Sequence, residues 1–219
     1  MKQIEIAERQ VWVHQTTERP EWVIIQPVDE HDQQGLEEEV AWLSNHSSTT
    51  LTLVAFRISD WNVELSPWRA PAVFGREDFG EGASKTLCYV LDGLVTRFKG
   101  NRYCLGGYSL AGLFALWSGY QTDVFSSIVG ASPSVWFPKW IEYATDHKPL
   151  AKSIYLSLGD KEDKTKNPVM AQVGNAIRKQ NELLTEQIDN TILEWNPGNH
   201  FVDSDKRTAK GFAWVLNNR

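Results

Sequence analysis

The chain has 219 residues and only two cysteines, Cys88 and Cys104. Two are too few for a disulfide scaffold, and both read as reduced core thiols of a cytoplasmic protein. No apolar run exceeds strand length, which excludes a transmembrane helix and a membrane partner of that kind. No cluster of lysine or arginine stands against the net charge of −6, so nucleic acid is not an expected partner. The five histidines are not at paired spacing, and no ligand cluster for a metal is present, so neither metal nor cofactor is expected. Gly107–Gly112 has the glycine spacing of a phosphate loop but lacks the following Lys-Ser/Thr, and that reading fails. Met1–His14 alternates polar and apolar residues without an apolar core segment, unlike a secretory signal. Internal repeats, low-complexity segments and linkers are also missing. The expectation is one soluble domain over residues 1–219.

What is present is a hydrophobic content of 42%, enough for a buried core, in alternating strand and helix patterns. Gln3–Ala7 and Gln10–His14 have the period-2 pattern of opening strands, and Glu21–Val28 reads as a buried strand that runs into Pro27. Leu36–Ser44 places Leu36, Val40 and Leu43 on one helical face. Strand Thr50–Ile58, helix Ala83–Phe98, a strand and helix around residues 103–118, and strand Ser126–Ala131 follow. A helix beginning over Pro138–Tyr143, strand Ser153–Leu158, helix Pro168–Glu186, strand Asn190–Trp195 and helix Asp205–Leu216 complete the chain. Such alternation implies an α/β fold, a mostly parallel twisted sheet with helices on both faces. Active sites in such sheets lie at the carboxyl ends of the strands, which selects the loops to search.

The richest of those loops follows Tyr103–Leu105, in Gly-Gly-Tyr-Ser-Leu-Ala-Gly (106–112). A short apolar run, a serine and then a helical pattern is the layout of a nucleophile elbow, where a strand turns sharply into a helix with serine at the apex. The tight turn needs small residues two before and two after the serine. Here they are Gly107 and Ala111, so the pattern is G-x-S-x-A followed by Gly112. A serine hydroxyl is a poor nucleophile until an imidazole takes its proton, and a carboxylate must hold that imidazole. In this fold the chain order is serine, acid, histidine. Of the five histidines only His147 and His200 follow Ser109, and His147 precedes the candidate acid loop in a solvated setting. His200, in Asn-Pro-Gly-Asn-His-Phe after the strand Asn190–Trp195, is therefore the expected base. The acid loop, Gly159-Asp160-Lys161-Glu162-Asp163-Lys164, offers Asp160, Glu162 and Asp163, and spacing alone does not separate them.

An oxyanion hole needs two backbone N–H groups aimed at the developing alkoxide. One is expected from Leu110 and the other from the loop after Glu21–Val28. Pro27 has no N–H, so Val28 or Asp29 must supply it. Trp61, Trp68 and Trp136 fall in loops on the same side, as candidate walls of an acyl or aryl pocket or as core and loop anchors.

These residues resemble the α/β-hydrolase superfamily, and within it the compact esterase group that includes esterase D, feruloyl esterases and siderophore esterases. The resemblance runs from Glu21 to Phe212. It rests on Gly-Tyr-Ser-Leu-Ala-Gly-Leu-Phe-Ala-Leu (107–116), Ala-Ser-Pro-Ser-Val-Trp-Phe (131–137), Gly-Asp-Lys-Glu (159–162) and Gly-Asn-His-Phe (198–201). It implies a minimal hydrolase fold without a large lid, and a Ser109–acid–His200 triad. In the family's Gly-x-x-Asp/Glu turn the acid register falls on Glu162. Where related enzymes often carry His-Gly in the oxyanion loop, this chain has Gln26-Pro27-Val28. The implied activity is hydrolysis of a small-molecule carboxylic ester through an acyl-enzyme. A thioesterase or small-amide hydrolase would use the same triad, and a non-catalytic binding protein on a hydrolase scaffold is the reading from another class.

Overall fold

A computed structural model describes residues 1–218, and Arg219, the last residue of the expected domain, lies outside them. One sheet of eight strands organises the described chain: β1 (Lys2–Ile6), β2 (Arg9–Gln15), β3 (Trp22–Val28), β4 (Leu51–Arg57), β5 (Arg102–Tyr108), β6 (Ser127–Ala131), β7 (Ser153–Gly159) and β8 (Asn190–Asn196). Their spatial order is β1-β2-β4-β3-β5-β6-β7-β8. Pairing is antiparallel at β1–β2 and β2–β4 and parallel from β4 onward. The inner strands β3, β6 and β7 are buried along their whole length, as expected for a sheet covered on both faces.

On one face α1 (Asp32–His46) and α7 (Ser204–Asn217) pack together, and Leu36, Leu43, Phe212 and Leu216 close a core with Trp22, Ile24 and Tyr155. The other face carries α2 (Trp61–Glu64), α3 (Ala83–Cys88), α4 (Leu110–Gln121), α5 (Trp140–Asp146) and α6 (Val173–Gln187). There Phe114, Trp140 and Ile177 join the larger core with Ile25, Phe56 and Leu156. Helix α4 is buried on nearly every side, which is why its sequence is apolar rather than amphipathic.

Three local differences from the sequence reading have physical causes. The helix expected over Ala83–Phe98 is α-helical only to Cys88 and continues as a π-helical turn over Tyr89–Val95. There Tyr89 donates to the Ile6 carbonyl and receives the Arg9 guanidinium over its ring. The helix expected from Pro168 begins regularly at Val173, because the Asn167 side chain captures the N–H groups of Val169 and Met170 and holds a separate tight turn. The unforeseen α2 is set by Asp60, which accepts from the Val63 N–H, and Glu64, which reaches back to the N–H groups of Ser59 and Asp60. Cys104 is buried as expected, but Cys88 is exposed.

Strands β3 and β5 pair only over Trp22–Ile25 and Arg102–Leu105, and beyond that their ends separate. The connections leaving β3 and β5 run in opposite directions across the sheet, so this gap is the topological switch point where ligands bind in such folds. Pro27 fits there because its missing N–H falls on the β5 side, past the last ladder bond. Above the same gap α1 buries Glu39, whose Oε2 accepts from the Gln26 side chain at 2.9 Å. Burial pushes this carboxyl from an ordinary 4.5 up to about 8; the Gln26 hydrogen bond opposes the shift, and the charges of Asp32 and Asp205 add to it. Between those limits the folded state keeps a proton that the unfolded chain releases, so Glu39 costs more stability as pH rises. Glu39→Gln is therefore expected to gain in melting temperature relative to the parent as pH goes from about 5 to about 8. Thermal melts across that range check this, and a difference independent of pH would contradict it.

Candidate active site

Ser109 sits between β5 and α4 with φ 57° and ψ −122°, a conformation that an L-residue holds only under constraint. The constraints are visible. Its N–H donates to the Ala131 carbonyl at 3.0 Å, and its own carbonyl accepts from Leu113 and Ser134. A Cβ on Gly107 would lie 2.7 Å from that of Ala111, so the turn leaves no space for a side chain there. Even alanine at 111 is accommodated only because 107 is glycine.

The structure brings His200 and Glu162 to this serine. His200 Nε2 lies 3.0 Å from Ser109 Oγ, and Nδ1 lies 2.7 Å from Glu162 Oε2. An ionised carboxylate only accepts, so Nδ1 carries the proton and Nε2 faces the serine hydroxyl as an acceptor. Asp160 and Asp163 do not approach the imidazole. Asp160 Oδ1 accepts from the Gly198 N–H at 2.8 Å and so fastens the histidine loop to the acid loop. Asp163 is exposed beside Gly174 of α6. His147 is exposed, stacked on Tyr143, with Nδ1 at the Tyr143 carbonyl.

Glu162 has more partners than the sequence indicated. Its Oε1 accepts from Ser132 Oγ and the Gly159 N–H, each at 2.7 Å, and pairs with the Arg207 guanidinium at 3.1 Å. A Cβ at Gly159 would come within 2.4 Å of the Gly198 carbonyl and 2.9 Å of Glu162 Oε1, so the glycine of the Gly-x-x-Glu turn is sterically required. Burial works to raise the Glu162 carboxyl, but the hydrogen bond and electrostatic attraction of His200, with Ser132 and the Gly159 N–H, together hold it below its ordinary value. Arg207, on α7, is 2% exposed and also donates to Tyr108 Oη and the Pro197 carbonyl. Tyr108 Oη donates to the His200 carbonyl at 2.7 Å, and burial, followed by the charge of Glu162, pushes its phenol up to about 12. Arg207, Ser132 and Tyr108 were not singled out from the sequence. Ser132 lies in the Ser-Pro-Ser stretch quoted above, and its neighbour Ser134 places its hydroxyl 3.4 Å from that of Ser109.

The candidate oxyanion donors separate. The Leu110 N–H opens α4, where the first N–H groups have no partner within the helix. Val28 is not available. It pairs with Arg57 and accepts from the Ile58 N–H, and in a parallel ladder such a residue also donates toward the same neighbouring strand, here to Phe56. Asp29 follows the last residue of β3 and lines the cavity over Ser109, and its carboxylate accepts from the His31 and Asp32 N–H groups at the start of α1.

Of the three tryptophans, only Trp61 lines the cavity of about 200 Å³ over Ser109, with Asp29, Tyr108, His200 and Phe201. Trp68 instead donates to the Pro138 carbonyl and packs among Phe137, Trp140 and Tyr143. Trp136 packs against Phe74 and Phe79. Both are drawn into aromatic clusters beside the site, away from the serine. Phe201, 89% exposed next to His200, forms a rim that was not foreseen. Among the described residues no group of three or more His, Cys, Asp or Glu is placed to hold a metal ion, and no helix is long and apolar enough to cross a membrane.

No family model and no curated protein matches the sequence. Solved structures do match in fold. An IroE-like serine hydrolase from Shewanella oneidensis superposes with a TM-score of 0.75 at 13% identity, over 95% of this chain and 75% of that one. The siderophore hydrolase EstA from Aspergillus nidulans gives 0.69 at 17% identity, over 95% and 90%. Enterochelin esterase from Shigella flexneri gives 0.73 at 17% identity; 99% of this chain corresponds to 58% of that longer protein. Identities this low speak to architecture, and by its architecture the chain has the α/β-hydrolase fold, as these serine hydrolases and esterases do.

Proposed function

We propose that this protein is a serine hydrolase that cleaves a small-molecule carboxylic ester through an acyl-enzyme, with Ser109 as nucleophile, His200 as base and Glu162 as its orienting acid. The observation that carries the reading is the continuous hydrogen-bonded path from Ser109 Oγ through His200 to Glu162, at 3.0 and 2.7 Å. Its fold neighbours, named as a serine hydrolase, a siderophore hydrolase and an enterochelin esterase, support ester chemistry.

In this reading His200 Nε2 takes the proton of Ser109 as Oγ attacks the ester carbonyl. Charge develops on the carbonyl oxygen, and the N–H groups of Leu110 and Asp29 stabilise it, aided by the positive end of α4. The imidazolium formed is stabilised by Glu162, which stays ionised because its second oxygen is already bound by Ser132, Gly159 and Arg207. The tetrahedral intermediate collapses, the C–O bond to the alcohol breaks, and His200 returns its proton to the leaving oxygen. Water, deprotonated by the same nitrogen, then attacks the acyl carbonyl. Collapse releases the acid and restores the Ser109 hydroxyl. Trp61 and Phe201 flank the attack position and favour an apolar group beside the scissile bond. The two cysteines carry no disulfide, which suits a cytoplasmic setting.

Release of p-nitrophenol from acyl esters of graded length tests the reading. Ser109→Ala is expected to lower kcat by about 10⁴–10⁶-fold with an unchanged melting temperature. His200→Ala should lose nearly as much, and the double variant little more, because the residues act as a unit. His147→Ala should be silent. Activity of Ser109→Ala within tenfold of the parent would end the serine-hydrolase reading.

Glu162→Gln keeps the shape but removes the charge that fixes the imidazole, and a loss of about 10²–10⁴-fold in kcat is expected. Asp160→Asn should cost much less, since that residue only tethers the loop. A larger loss at Asp160 than at Glu162 would reassign the acid.

A further inference from the structure

A second cavity of about 190 Å³ adjoins the one over Ser109, between the end of β3 and the first turns of α1 and α7. The two share His31, Asp32, Tyr108 and Ser204 as walls, so they lie side by side with the Tyr108 ring between them. Three carboxylates line this second cavity, Asp32, Glu39 and Asp205, and no lysine or arginine does. Glu39 is 4% exposed, and although Oε2 accepts from Gln26, Oε1 is buried without a hydrogen-bond partner. A buried carboxyl oxygen without a partner is costly in either protonation state, and among carboxylates it points to a cationic donor from outside the chain that takes the place of its proton.

The close approach of the helices is built in. Gly35 faces Asp205 with only 3.0 Å between the site of a Cβ and the Asp205 Cβ, so a side chain there would need Asp205 to give way by a few tenths of an ångström. The amino ends of α1 and α7 would by themselves favour an anion, but Asp32 and Asp205 already occupy their first turns and answer that field. Glu39, in the middle of α1, has no such compensation. An anionic ligand would meet Asp32 and Asp205, whereas a cation would be drawn to them and would gain an acceptor in Glu39 as that group loses its proton.

We propose that this cavity receives an ammonium or guanidinium group of the substrate, held by Glu39 in the field of Asp205 and Asp32, while the ester carbonyl lies over Ser109. The inference rests on the ester-hydrolase reading and adds a substrate class to it: esters that carry a cationic group a short chain away from the scissile carbonyl. Among the described residues no three of these carboxylates converge as metal ligands, so an organic cation with several N–H donors fits better than an ion. Burial raises the Asp32 carboxyl to about 6, with Asp29 adding to the shift and His31 opposing it, and Glu39 stands at about 8. At neutral pH a bound cation must therefore drive a proton off Glu39, and binding is coupled to proton release.

Calorimetry with hexylammonium, and with 1-hexanol as its neutral counterpart, tests the cavity without any need for turnover when done on Ser109→Ala. The expected result is at least tenfold tighter binding of hexylammonium than of hexanol. Proton release at pH 7 should appear as a dependence of the enthalpy on buffer ionisation. Glu39→Gln in the same background should lose at least tenfold in hexylammonium affinity and lose the proton release. Equal affinity for the two compounds, or hexylammonium binding indifferent to Glu39, would overturn the proposal. Turnover adds a second reading: p-nitrophenyl esters of ω-amino acids of graded length against the alkyl esters of equal length. A preference of tenfold or more in kcat/KM for the amino ester at one length, reduced at Glu39→Gln, supports the proposal. Turnover of the alkyl esters with no preference at any length overturns it and leaves the hydrolase reading standing. Turnover of neither series refutes the hydrolase reading, and calorimetry still decides whether the cavity takes a cation.

Discussion

The carboxylate of Glu162 is the point on which the geometry of the site depends. Its two oxygens gather Ser132 from the end of β6, Gly159 from the end of β7, His200 from the loop after β8 and Arg207 from α7. Four separate pieces of chain are thereby tied to one buried anion. A buried, hydrogen-bonded charge pair adds little net stability compared with apolar packing, but removing one partner leaves the other uncompensated, at a cost of about 3–5 kcal/mol. The Glu162–Arg207 pair is therefore better understood as a registration device than as a source of stability. It fixes where the histidine loop lands, and Tyr108 completes the tie by donating to the His200 carbonyl while accepting from Arg207.

The strained serine is the other half of the arrangement. Its φ of 57° is held by main-chain bonds to Ala131, Leu113 and Ser134 and by the absence of a side chain at Gly107. The strain is local, and the parallel core strands carry it. Because β3 and β5 part beyond Ile25 and Leu105, the serine, Asp29 and both cavities converge on one gap in the sheet. The acidic cavity reuses the same wall, so a substrate could be held by charge on one side of Tyr108 and attacked on the other.

Much of this was legible in the sequence because it is local. The elbow is a run of small residues around one serine, the strands are apolar runs of the right length, and chain order separates His200 from His147. The acid was narrower, since Asp160, Glu162 and Asp163 share one turn and only a family register favoured Glu162. What escaped depends on packing between distant segments. Arg207 lies in an ordinary amphipathic helix pattern, and nothing local marks it as buried. Trp68 and Trp136 sit in loops on the correct side, yet their rings turn into aromatic clusters because Phe79, Phe137 and Trp140 are there to receive them. That the Val28 main chain is engaged with β4 follows from pairing register rather than from residue type. Glu39 reads as one of three glutamates early in a helix, and only the approach of α7 shows that it alone of the three is buried.

The most direct test of the central claim is covalent. A fluorophosphonate is attacked by an activated serine, which forms a P–O bond as fluoride leaves, so intact-protein mass spectrometry and peptide mapping locate the reactive hydroxyl. The account predicts one adduct per chain, on Ser109, lost when His200 is replaced by alanine. An unmodified protein, or an adduct on any other residue, would contradict it.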